Sequence, residues 1–159
     1  MENITSQKVF RLTPESLSDE IRICTTLPQY HVLICVDSTQ SKADLARSLG
    51  FLVPGVQARP DIFSGDAHVH FRNGSKILFC THLDMDVYAG QGIHSVLVYD
   101  RVPYADAAAE YAKTIIKPYS IPNNYEPSRE TYVNRFNSIL RRARRGIDTS
   151  AMDSFLEEI

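Results

Sequence analysis

The segments His31-Val-Leu-Ile-Cys-Val36 and Ser95-Val-Leu-Val-Tyr-Asp100 are apolar almost throughout and bounded by polar residues. A strand with one face in water alternates apolar and polar side chains, whereas a strand covered on both faces does not. Two such runs call for a sheet with both faces covered, as parallel strands joined by helical crossovers provide. The residues after the first run agree. Asp37-Ser-Thr-Gln-Ser41 offers N-cap groups, Ala43, Leu45, Ala46 and Leu49 give an apolar helical face, and Gly50 is a C-terminal stop. A chain of 159 residues suffices for one such α/β domain, with a core that needs no disulfide or metal staple.

The remaining elements fall around this unit. Val9 to Leu12 reads as a first strand, Thr13-Pro-Glu-Ser-Leu-Ser18 as a polar loop, and residues from about Asp19 to Thr26 as a short helix stopped before Pro28. Residues 50–65 hold two prolines and three glycines and read as a loop. Ala67-His-Val-His-Phe71 and Lys76-Ile-Leu-Phe-Cys80 flank Arg72-Asn-Gly-Ser75, which predicts a β-hairpin closed by a tight primed turn. An alanine-rich helix is expected over Asp106–Lys117, ended by Pro118. The resulting division is a core over 1–118, a linker over 119–127 and a helical tail over 128–159. In the tail Tyr132, Val133, Phe136, Ile139 and Leu140 share one helical face, and a last short helix starts near Thr149 or Ser150, with Asp153 completing a capping box.

Charge is balanced, with 17 basic and 19 acidic side chains, so the global value announces neither a nucleic-acid nor a membrane binder. Cys24, Cys35 and Cys80 are scattered and apolar in setting, as buried thiols of a reducing compartment are. MENITSQKVF has no secretory pattern, and no run approaches the ~20 apolar residues that span a bilayer. The expectation is a soluble, cytoplasmic protein.

Two groups of residues are candidates for binding chemistry. His68 and His70 lie at i, i+2 on a predicted strand, so both imidazoles share a face, as a metal site requires. Asp84, Asp86 and Asp100 are further candidate ligands, for Mg2+ or Zn2+; the competing reading is a polar hairpin face and solvated loop acids. The other group is basic. Arg135, Arg141, Arg142, Arg144 and Arg145 can grip successive phosphates by bidentate forks, or can simply be a solvated helix end.

The order of elements resembles the front half of a RecA-type P-loop domain, in particular the ATPase domain of viral large terminases and superfamily 2 helicases. Three segments carry the likeness: the strand and T-Q-like turn within Val32–Leu49, the hairpin Asn73-Gly-Ser-Lys-Ile-Leu-Phe79, and Tyr88-Ala-Gly-Gln-Gly-Ile-His-Ser-Val-Leu-Val-Tyr-Asp100. Together they implicate residues 8–118. The resemblance implies a RecA-like sheet with a β-hairpin and flanking helices, followed by the helical tail.

Two departures bear on activity. Where the phosphate loop should lie the chain reads Thr13-Pro-Glu-Ser-Leu-Ser-Asp-Glu20, without glycine or the Gly-Lys-Ser/Thr that holds phosphate and magnesium. Asp100 matches the family's magnesium-side acid, but Arg101 replaces its water-activating Glu, and a guanidinium is no general base. The expectation is therefore a pseudo-ATPase without catalytic residues or nucleotide cofactor. It would associate with DNA or RNA in viral genome packaging or replication, in host cytoplasm or virion. Alternatives are a protein-interaction module acting through the tail and a metal-dependent nuclease or hydrolase.

Overall fold

The computed structural model describes residues 3–6, 8–53, 57–61 and 66–122. The tail with its arginine cluster, Arg135, Arg141, Arg142, Arg144 and Arg145, lies outside the described residues. In chain order the elements are β1 (Asn3–Ser6), β2 (Lys8–Arg11), α1 (Pro14–Thr26), β3 (His31–Val36), α2 (Thr39–Leu52), β4 (Gln57–Asp61), β5 (Asp66–His70), β6 (Lys76–Thr81), a 3-10 turn (Met85–Tyr88), β7 (Ser95–Val98), α3 (Ala105–Ile115) and β8 (Tyr119–Pro122).

The expected α/β class holds. Six strands form one sheet in the order β2-β7-β3-β6-β5-β4. The first four are parallel, and β5 and β4 close the far side as antiparallel strands. The central strands β7, β3 and β6 supply the continuous apolar runs, and Val32–Val36, Ile77–Cys80 and Val96–Tyr99 are all buried. Sheet crossovers from β2 to β3 and from β3 toward β4 travel one way, and the return from β6 to β7 travels the other. Right-handed connection then sets α1 and α2 on one face and the 3-10 turn on the opposite one, where α3 packs over β2 and β7 and touches that turn.

Several boundaries differ from those expected, each for a local reason. Helix α1 starts at Pro14, not near Asp19, because Thr13 and Ser16 form a reciprocal capping box and proline suits the first helical position. Gly50 lies within α2, which runs on to Leu52. Part of the expected loop 50–65 is β4, which pairs along the whole of β5 from Gln57↔His70 to Asp61↔Asp66; Pro60 is tolerated there because β4 is an edge strand. The first residues of the expected linker form β8, which pairs antiparallel with β1, a strand the sequence pattern did not reveal.

The β5–β6 hairpin is present, but its turn is not of the primed type. Only Gly74 has positive φ, at 87°. The Gly74 N–H bonds the Phe71 carbonyl and the Phe71 N–H bonds the Ser75 carbonyl, the pattern of a three-residue loop with a glycine bulge. Asn73 explains the choice. Its amide nitrogen donates to the carbonyls of Cys24 (2.8 Å) and Leu27 (3.0 Å) at the end of α1, while its oxygen accepts from the Ser75 N–H. Ser75 Oγ donates to the Leu27 carbonyl (2.7 Å) and accepts from the Tyr30 N–H (3.0 Å). The turn thus satisfies carbonyls that the last helical turn leaves without partners.

Candidate functional site

In open α/β sheets ligands bind outside the carboxyl ends of the strands, where successive connections depart in opposite directions. Here that place lies between β3 and β7, joined by the Tyr99 N–H to Cys35 carbonyl bond (2.9 Å). Four strand-to-helix turns surround it, and most of their polar groups already serve local structure.

After β2, the Thr13 Oγ1 accepts from the Ser16 N–H (3.1 Å), and Ser16 Oγ bonds the Thr13 N–H and the Arg11 carbonyl. The adjoining hollow of about 430 Å³ is lined by Arg11 together with Glu15, Asp19 and Glu20. After β3, Ser38 Oγ accepts from the Ser41 N–H, and Ser41 Oγ donates to Asp37. Lys42, in the first turn of α2, has a side chain only 4% exposed and pairs with Asp84 at 3.0 Å. After β6, Asp84 also accepts from the Thr81 N–H (2.6 Å) and hydroxyl. Burial alone would raise the Asp84 carboxyl, but the Lys42 ammonium and the Thr81 N–H outweigh it and hold the group below its ordinary value. After β7, Asp100 meets the Arg11 guanidinium at 3.5 Å, and Arg101 is exposed.

The candidate metal ligands are therefore dispersed. Asp84 is committed to Lys42, Asp100 faces Arg11, and Asp86 is exposed on the 3-10 turn. His68 and His70 do share a face of β5, their rings 4.7 Å apart, while Ala67, Val69 and Phe71 point into the core. Among the described residues no three His, Cys, Asp or Glu side chains gather as a metal site. Cys35 and Cys80 are register partners on β3 and β6, buried and free. Contact with Cys35 and burial both push the Cys80 thiol up, which suits a packed core group and not a nucleophile.

Next to these turns lies an apolar groove that the sequence pattern did not flag. It has a volume of about 430 Å³ and runs between the 3-10 turn and α3, lined by Leu83, Met85, Pro103, Tyr104, Ala108 and Tyr111 among others. Leu83 is 81% exposed, Tyr104 82% and Tyr111 41%. Tyr104 also holds a left-handed backbone (φ 56°, ψ 45°) at the start of α3, an unfavourable conformation for a bulky residue.

The opposite, amino end of the sheet is packed with aromatic and imidazole rings. Tyr30 stacks on His94 and meets Tyr119 edge-on, and His31 lies beside His94 at 5.6 Å. Tyr30 Oη donates to buried Glu20 (2.6 Å), Tyr119 Oη donates to the Pro28 carbonyl (2.6 Å), and His94 Nδ1 contacts the Lys117 carbonyl (3.2 Å). Burial lowers both imidazoles, assisted at His31 by the Lys76 charge and then His94, and at His94 by the Lys117 charge. These partners come from separate elements, so no local sequence pattern could have grouped them.

No protein-family model, curated protein or solved structure matches the chain. No helix among the described residues is long and apolar enough to cross a membrane.

Proposed function

We propose that this chain is a non-catalytic, nucleic-acid-associated protein of RecA-like descent, related to the terminase and helicase ATPases that its sequence resembles. The observation that carries the non-catalytic part is the turn after β2. A phosphate loop presents free backbone N–H groups to a polyphosphate. In this chain Thr13 Oγ1 takes the Ser16 N–H, Pro14 has no N–H to offer, and Glu15, Asp19 and Glu20 line the adjoining hollow. Asp100 meets Arg11, which competes with a magnesium role. The nucleic-acid part rests on Arg135, Arg141, Arg142, Arg144 and Arg145.

Fluorescence anisotropy with labelled single- and double-stranded DNA and RNA over a salt series tests it. Binding should fall steeply with salt, and replacing Arg141, Arg142, Arg144 and Arg145 by Ala should weaken it for every sequence and flatten the slope by up to about four phosphate contacts. No binding at low salt, or affinity unchanged in that variant, refutes the reading.

A further inference from the structure

We propose that the groove between the 3-10 turn and α3 is the docking site of this chain's own segment Tyr132–Leu140. The groove is apolar, open and edged by exposed large side chains, a surface that water solvates at a cost and an apolar stripe would relieve. Tyr132, Val133, Phe136, Ile139 and Leu140 form such a stripe in the sequence. His82 also lines the groove, and its Nδ1 is buried without a hydrogen-bond partner among the described residues.

Charge and tether length select the chain's own segment over an outside partner. Asp86 in the groove lining and Asp106 and Glu110 on α3 are exposed acids, whereas residues 129–145 carry Arg129, Arg135 and the four arginines Arg141, Arg142, Arg144 and Arg145. Strand β8 ends at Pro122, so residues 123–131 join it to the stripe. Nine extended residues reach about 30 Å, while the six-residue strands of the sheet rise only about 20 Å. The connection is therefore longer than the strands of the sheet, and tethering raises the segment's effective concentration to roughly the millimolar range. Docking in this way leaves Arg141–Arg145 beyond the stripe and accessible. The inference does not rest on nucleic-acid binding, and its test reads a different quantity.

The full-length chain with Leu83→Cys and Phe136→Cys is oxidised mildly, beside a control with Thr25→Cys, on α1 across the sheet, and Phe136→Cys. A disulfide within one chain, formed faster for the first pair than for the control, is expected. No disulfide, a disulfide only between chains, or equal rates for the two pairs overturns the proposal. In a second measurement, Leu83→Glu with Tyr111→Glu should speed tryptic cleavage after Arg135, which lies inside the docked segment, by about tenfold, because the lost apolar burial opens the docked state. Unchanged cleavage also overturns it, and the disulfide result decides alone if this double variant loses its fold.

Discussion

The two ends of the parallel strands are built from different chemistry. At the amino end, Asn73 and Ser75 tie a hairpin turn to the end of α1, Glu20 and Tyr30 share a buried hydrogen bond, and the rings of Tyr30, His31 and Tyr119 pack around His94. At the carboxyl end, short polar turns satisfy their own amides and leave an apolar groove beside them. One end is closed by contacts between residues far apart in the chain. The other is a set of short turns, capped locally and joined in pairs by Lys42–Asp84 and Arg11–Asp100, the arrangement by which one scaffold accepts different functions.

This contrast breaks most readily at Tyr30, whose residue exposure is 1%. Tyr30→Ala removes a core ring and leaves the Glu20 side chain, 2% exposed, without this donor. A loss of about 4 kcal/mol in denaturant unfolding is expected; a loss below about 1 kcal/mol, the range of surface changes, would show that the amino end is not a closed unit. Asn73→Ala comes next. It strands the Cys24 and Leu27 carbonyls of one bond each, and about 2 kcal/mol should be lost with the hairpin otherwise intact. By contrast Leu83→Glu at the carboxyl end should change stability by no more than about 0.5 kcal/mol.

Protons act on the same side of the comparison. The folded values of His31 and His94 lie below the ordinary 6.5, through burial first and then nearby positive charge. The unfolded chain therefore binds more protons than the native one below about pH 6.5, and stability falls as pH drops from there through the lowered folded values. Denaturant midpoints measured at neutral and mildly acidic pH should show this fall. Replacing both histidines by Gln should flatten it, and an unaltered pH dependence in that variant would place the linkage elsewhere.

Much of the frame was legible without the structure. Uninterrupted apolar runs are a local consequence of two-sided burial, so β3 and β7 could be read directly, and alternation in Ala67–Phe71 marked a strand with one covered face. Caps and breakers are also local, which is why α2 and α3 were placed within a few residues. The errors arose where a local signal had two meanings. Proline at 14 suggested a loop and instead opened α1, and Asn-Gly suggested a primed turn although Asn73 serves the end of a helix more than 45 residues earlier. Glycine and proline density likewise concealed β4, whose strand identity rests on its pairing with β5.

The sequence by itself determined the α/β class, the buried strands and the absence of a glycine-rich phosphate loop, since these follow from residue type and spacing along the chain. Only the tertiary structure decided which charges meet. Lys42 and Asp84, Glu20 and Tyr30, and the ring cluster around His94 are brought together by sheet order and register, which depend on how distant segments pack and not on any pattern within one of them. It likewise decided that Leu83, Tyr104 and Tyr111 stand exposed around one groove, because exposure is a property of what packs alongside a residue and not of the residue itself.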